Sequence, residues 1–263
     1  MNNSITQRSG LYRRMLKGQK LDDELIIDHH GHLGSVSAGR PPLEREVADI
    51  ISVMDAAGID RGVVFSTGSD YHCRNQLTLE GFAMAPERFI PYAYLNADAP
   101  PAMLAELERC RRAGMAGLKL HDSWRGNSKF TDAFWKDVWA YCAQYRWPVI
   151  IHGMIPRLAR ENPQTVFIHA HGIELIFNDE AIQTMRECPN YYWDTSATMT
   201  AMGAIERAVS LFGADRLMFG SDFPLNNMAT RMGAVLAARI SDGDMRKILG
   251  GNIARLLNLK LRN

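Results

Sequence analysis

The residues best suited to chemistry are histidines and one aspartate that close short apolar runs. In IIDHHGHL, side chains of an extended strand alternate, so Asp28, His30 and His32 are expected on one face and His29 and Gly31 on the other. Two imidazoles at that spacing can reach one ion. PVIIH ends in His152, TVFIHAH carries His169 and His171 on one expected face, and RLMFGSD ends in Asp222. Four strands thus supply nitrogen and oxygen donors. Three imidazoles and a carboxylate, with a position left open for water, suit one catalytic divalent ion, Zn²⁺ before Mn²⁺ or Fe²⁺. Taken singly, His152 or Asp222 at a strand end reads more readily as a satisfied core or capping group. Taken together they do not, because burying so many polar groups without a ligand is costly. GLKLH adds Lys119 and His121 on one face, where a salt-bridged lysine and a solvent-facing histidine are the plain alternative. His29 is expected to pack against helices, and His72 to lie at the surface.

Something must hold these residues at one mouth. Eight runs have strand character: LIID, GVVFS, FIPYAYL, GLKLH, PVIIH, TVFIHAH, YYWDTS and RLMFGSD. Between them lie segments with helical apolar spacing, such as LEREVADIISVMDAAG, PPAMLAELERCRRAG, TDAFWKDVWAYCAQYR, DEAIQTMRECP and AIERAVSLFGA, several of which stop at Gly or Pro. Alternation of this kind, with nearly continuous apolar strands, predicts an α/β (β/α)₈ TIM barrel, ahead of a doubly wound open sheet. In such a barrel catalytic groups come from the C-terminal strand ends, where these polar residues stand. Only GMIPRLARENPQ separates the fifth strand from the sixth, so a short helix is expected there and an open mouth on that side. Residues 1–23 read as an N-terminal extension and 24–263 as the barrel domain. Residues 1–20 hold Arg8, Arg13, Arg14, Lys17 and Lys20 with no acid, a composition shared with transit peptides, although a solvated basic arm is the favoured reading.

The chain has 263 residues, near the roughly 250 typical of one such barrel. Its 46% hydrophobic and 22% charged residues exclude the signature of disorder. A formal charge of +1 argues against a nucleic-acid or anionic-membrane partner and favours a small-molecule substrate. Cys73, Cys110, Cys142 and Cys188 form no CxxC pair and read as reduced, mostly buried residues. No apolar run is long enough for a transmembrane helix and the polar start lacks a secretory core, so a cytoplasmic location is expected.

IIDHHGHLG (the DxHxH pattern), GLKLH, PVIIHG, FIHAHG, NYYWDTS, LMFGSDFP and ILGGNIARLL together resemble the amidohydrolase superfamily. The likeness is to its amidohydrolase-related branch, which includes aminocarboxymuconate semialdehyde decarboxylase, and it runs from about residue 24 to near the end. It implies His30, His32, His152 and Asp222 as metal ligands and His171 as the catalytic sixth-strand histidine, with Asp222 also moving a proton. Lys119, which other branches use in carboxylated form to bridge two metals, is commonly unmodified in this branch; one metal is expected, with Lys119 a charge either facing the substrate or standing behind the metal ligands. His121, His169, Trp124 and Arg125 complete the expected substrate-binding set. The arginine with which the branch's decarboxylases hold their substrate has no obvious counterpart after STGSDYH; Arg74 is slightly further on, and Arg125 could substitute.

The expected activity is therefore hydrolysis of a small lactone, amide or ester by metal-activated water. Decarboxylation of an aromatic or unsaturated acid is the alternative. A TatD-like nuclease would be expected to carry a fourth-strand glutamate where this chain has Lys119, and a non-catalytic metal-binding barrel is the remaining reading. A homodimer is an expectation from the resemblance alone.

Overall fold

The computed structural model describes residues 9–34, 41–96, 102–121, 130, 133, 135–153, 155–197 and 201–259. Trp124 and Arg125 lie outside the described residues. Nine short strands follow the expected runs: β1 (Ile27–His32), β2 (Arg61–Phe65), β3 (Phe89–Pro91), β4 (Ala93–Asn96), β5 (Leu118–His121), β6 (Val149–His152), β7 (Phe167–His169), β8 (Tyr191–Asp194) and β9 (Leu217–Met218). All neighbouring pairs are parallel, in the orders β1-β2-β3 and β4 to β9. The third run is divided at Tyr92, whose N–H donates to the Val64 carbonyl (2.9 Å) before Ala93 N–H turns to the Gly117 carbonyl (2.8 Å). One stave therefore bonds first to β2 and then to β5, giving eight staves.

Closure comes from the far end of the chain. His29 N–H donates to the Phe219 carbonyl (2.9 Å), Asp222 N–H to the His30 carbonyl (2.8 Å) and His32 N–H to the Phe223 carbonyl (2.7 Å), and Gly31 bridges Phe223. The ring of backbone hydrogen bonds is thereby completed. Inside it Ile27, Val63, Phe65, Ile90, Tyr92, Ile150, Ile168, Tyr192 and Met218 fill the barrel. The alternate residues, such as Val64, Leu118, Leu120, Val149, Ile151, Phe167 and Trp193, pack outward on the helices. This two-sided burial is why the strands read as continuous apolar runs.

The helices are α1 (Gly10–Leu16), α2 (Leu43–Ala57), α3 (Tyr71–Met84), α4 (Met103–Arg112), α5 (Trp135–Gln144), α6 (Pro156–Glu161), α7 (Asp179–Glu187), α8 (Ala204–Phe212), α9 (Met228–Ala237), α10 (Asp242–Arg246) and α11 (Asn252–Leu256). The fifth crossover carries the six-residue α6, as its length predicts. α3 is the helix least visible in the sequence, because its buried face holds Asn75, Thr78 and Gly81 rather than an apolar stripe. The ILGGNIARLL ending seals the bottom: Gly250 lies against the Leu25 carbonyl where a Cβ would overlap it, and the Asn252 amide donates to the carbonyls of Ala214 and Leu217, each at 2.7 Å.

One expectation is corrected. Residues 10–16 are not a solvated arm but helix α1, docked with Leu11 buried and its first N–H groups bonded to Asp242. The basic residues obscured this, although Arg14 finds Asp23 and Glu24 while Leu11 turns inward. Among the described residues no helix is long and apolar enough to cross a membrane.

Gly31 sits where β1 meets the closing segment, and a methyl there would overlap the Phe223 ring. Gly31→Ala should therefore cost about 1–3 kcal/mol through overpacking, read as a lower urea midpoint with an unchanged slope.

Candidate active site

β1 does not alternate simply. Its register with β2 pairs Asp28 with Gly62 and Gly31 with Val64, so His29 and His30 together oppose Val63 in a bulge. The bulge corrects the expected faces. His30 and His32 turn to the mouth, and His29 lies beside Tyr92 in the inner core with ring centroids 6.0 Å apart. Asp28 instead accepts from Ser221 N–H (2.9 Å) and His30 N–H (3.1 Å), tying β1 to the closing segment.

Asp222 then meets both imidazoles. Its Oδ1 is 3.3 Å from His30 Nε2 and 3.1 Å from His32 Nε2, and one ligand atom from each of the three residues lies within 4.8 Å of the others. Two imidazoles and a carboxylate at this spacing fit a divalent ion. Asp222 adopts φ 66°, a left-handed conformation that a non-glycine residue holds only when its surroundings fix it. The hydrogen bond from its N–H to His30 supplies that hold.

The other imidazoles continue around the wall. His30 lies 5.2 Å from His171 between ring centroids, His171 lies 5.0 Å from His152, and His152 lies 4.4 Å from His121, its register partner on β5. His152, expected as a metal ligand, is outside the close group of three. It approaches from β6, across the barrel from the β1 junction. Lys119 and His121 share the inner face as expected, with Lys119 Nζ 3.3 Å from His30 Nε2 and 4.7 Å above the Phe65 ring.

His169 and His171 do not share a face. Ile168 points into the barrel, so His169 points out, where its Nδ1 meets Tyr191 Oη at 2.6 Å. His169 is thus not among the side chains brought together at the mouth. His171 reaches the mouth because its own φ of 60° reverses the chain and breaks the alternation. Arg74 donates to the Gly34 carbonyl (3.0 Å). His72, at the start of α3, pairs with Glu106 (3.0 Å).

Two residues escaped the sequence reading. Asp194, fully buried at the end of β8, contacts His30 Nδ1 through Oδ2 (2.8 Å), and Ser196 Oγ lies 3.0 Å from the same nitrogen. The signal was present in YYWDTS, a carboxylate ending an apolar strand, the same feature that marks Asp222.

Burial sets the charge states. Desolvation depresses His30 well below the usual imidazole range and lowers His32, with the nearby Lys119 charge acting in the same direction. It takes His121 to about 4 and His152 to about 3. Neutral imidazoles result. Burial opposes the charge of Asp222, but the His32 hydrogen bond and the surrounding imidazoles outweigh it and hold the carboxyl at about 2. Burial lowers Lys119 to about 8 against the pull of Asp222 and Asp194.

The amidohydrolase family model matches residues 27–259. The chain belongs to the amidohydrolase family. Solved structures share its fold. 2,6-Dihydroxybenzoate decarboxylase from Rhizobium superposes with a TM-score of 0.70 at 16% identity, covering 90% of this chain and 99% of that one. A dihydroxybenzoic acid decarboxylase from Polaromonas sp. JS666, with bound manganese and the inhibitor 2-nitroresorcinol, gives 0.70 at 18% identity over 91% and 98%. A probable 2-pyrone-4,6-dicarboxylic acid hydrolase from Acinetobacter baumannii gives 0.67 at 17% identity over 89% and 99%. No curated protein sequence matches this amidohydrolase.

Purified protein should carry close to stoichiometric divalent metal, and His30→Ala and Asp222→Ala should each lose it; full occupancy in both, by elemental analysis, would sink the assignment. Protons compete with metal for the imidazoles. Because burial lowers the His30 and His32 pKa values, that competition moves to lower pH: metal should stay bound below pH 6, where exposed imidazoles near 6.5 are already mostly protonated. Dialysis against a weak chelator across pH 5 to 7 tests this.

Proposed function

We propose that this amidohydrolase is a metal-dependent hydrolase of a small-molecule lactone, amide or ester. The observation that carries the reading is the meeting of His30, His32 and Asp222 in one group, with an ionised carboxylate within reach of both imidazoles. These residues would hold a divalent ion, Zn²⁺ by first preference with Mn²⁺ or Fe²⁺ as alternatives, which would supply a Lewis acid able to bring the pKa of water down to about 7. Asp222 would take a proton from the attacking water and hold it for the leaving group. With Nδ1–H on the Ser196 carbonyl (2.8 Å), the Nε2 lone pair of His171 is free to take up a proton, and the doubly protonated ring would then stabilise the developing oxyanion or pass that proton on. Lys119, buried beside His30, offers positive charge to the substrate, and His121 and His152 line the wall beyond His171.

Decarboxylation of an aromatic or unsaturated acid is the second reading. The buried ammonium of Lys119 favours it, since a carboxylate next to the metal group would find a partner there. The named functions of the Rhizobium and Polaromonas proteins favour it as well. In that case the proton held near His171 goes to carbon and CO₂ leaves.

A panel of lactones, amides, esters and aromatic carboxylates, followed by acid release and by CO₂ release, separates the two reactions. Acid release without CO₂ supports hydrolysis; CO₂ evolution overturns it in favour of the lyase. On whichever substrate turns over, His171→Ala should keep the metal while kcat falls by about 10² or more. Near-normal turnover would remove His171 from the chemistry.

A further inference from the structure

We propose that Asp194 is the positioning residue of this site, holding from one carboxylate both the metal-binding tautomer of His30 and the reversed turn that presents His171. The proposal rests on the reading of His30 as a metal ligand. Asp194 is fully buried, and each of its oxygens is engaged. Oδ2 lies 2.8 Å from His30 Nδ1. Oδ1 accepts from His171 N–H (2.8 Å), from Ser196 N–H (3.1 Å) and from Ser196 Oγ–H (2.6 Å). A carboxylate has no proton to give, so the hydrogen between it and His30 belongs to Nδ1, and the lone pair of His30 is left on Nε2. At the other end of the ring a donor and an acceptor stand equally far from Nε2, Lys119 Nζ and Asp222 Oδ1 each at 3.3 Å, so the shorter contact at Nδ1 is the one that fixes the tautomer.

Ser196 extends the arrangement to His171. Its single hydroxyl hydrogen goes to Asp194, so its lone pairs face His30 Nδ1 at 3.0 Å and His171 Nδ1 at 3.1 Å. Its carbonyl also accepts from His171 Nδ1 (2.8 Å). His171 is then protonated on Nδ1 as well. Its backbone sits at φ 60°, a conformation that persists only where the surroundings hold it, and the bond from its N–H to Asp194 is that hold. Outer carboxylates of this kind fix the ring orientation of metal-binding histidines and are worth about 10–100-fold in metal affinity.

Asp194→Asn separates positioning from bulk structure because it keeps shape. The amide oxygen can still accept from His171 and Ser196, which leaves the NH₂ group facing His30 Nδ1. That group donates, Nδ1 must accept, and the proton of His30 moves to Nε2, the atom the metal needs. The experiment uses the full chain labelled with ¹⁵N-histidine. Long-range ¹H–¹⁵N spectra of the metal-free protein report each tautomer, and chelator competition with Zn²⁺ alone reports affinity. The wild type should show His30 and His171 protonated on Nδ1. Asp194→Asn should show His30 protonated on Nε2 and Zn²⁺ bound about 10–100-fold more weakly, with an unchanged far-UV spectrum. A wild-type His30 protonated on Nε2 overturns the proposal whatever the variant does, including if the variant fails to fold. So does Zn²⁺ affinity in Asp194→Asn equal to that of the wild type when His30→Ala has lost it. Affinity unchanged in His30→Ala instead overturns the metal assignment itself, and the metal half of this proposal with it.

Discussion

The three backbone hydrogen bonds that join β1 to the segment after β9 do two things at once. They complete the barrel, and they hang Asp222 from the carbonyl of His30, so the carboxylate reaches the imidazoles of residues nearly two hundred positions earlier in the chain. The candidate metal group of His30, His32 and Asp222 therefore assembles only when the ring is closed. The bulge at His29 and His30 serves the same junction, because without it strict alternation would place a different set of side chains at the mouth. Gly31 and the Phe223 ring fill the seam between the two segments, leaving no room for a side chain.

Burial gives the site its chemistry and also its cost. Lys119, Asp194 and the imidazoles of His29 and His30 are withdrawn from water, and withdrawal of charge is expensive unless partners replace the solvent. The histidines answer by staying neutral, which is the form that binds metal. Asp194 answers with four donors, Asp222 with His32, and Lys119 with His30 and the face of Phe65. Asp28 is the exception: burial raises its carboxyl to about 7 despite the hydrogen bonds it accepts from Ser221 and His30, so it is partly protonated near neutrality.

Backbone strain is concentrated at the same place. Two of the four non-glycine residues with positive φ among the described residues are His171 and Asp222, the pair proposed to move protons. Each is held by a hydrogen bond from its own N–H into the site, to Asp194 and to the His30 carbonyl. Strain of this kind persists where the surroundings over-determine it, and here those surroundings are the metal group's own framework. The candidate metal group, the reversed turns and barrel closure are thus one mechanical unit, on a fold that hosts many reactions through its mouth.

Composition and periodicity favoured the barrel over an open doubly wound sheet, and the hydrogen bonds between β1 and the segment after β9 decide between them. Alternating apolar runs and amphipathic segments leave few other ways to bury both faces of a parallel sheet, and the short fifth crossover followed from counting residues. His30, His32 and Asp222 were legible as donors at strand ends. Which side chains meet was decided by tertiary structure, for reasons that a period of two cannot carry. A bulge redirected Asp28 and His29, a left-handed residue brought His171 to the mouth while His169 turned outward to Tyr191, and position in the ring put His152 across from the metal group. Asp194 was visible as a carboxylate ending a strand, but its importance lies in a contact with His30 across 164 residues, which only closure of the ring creates.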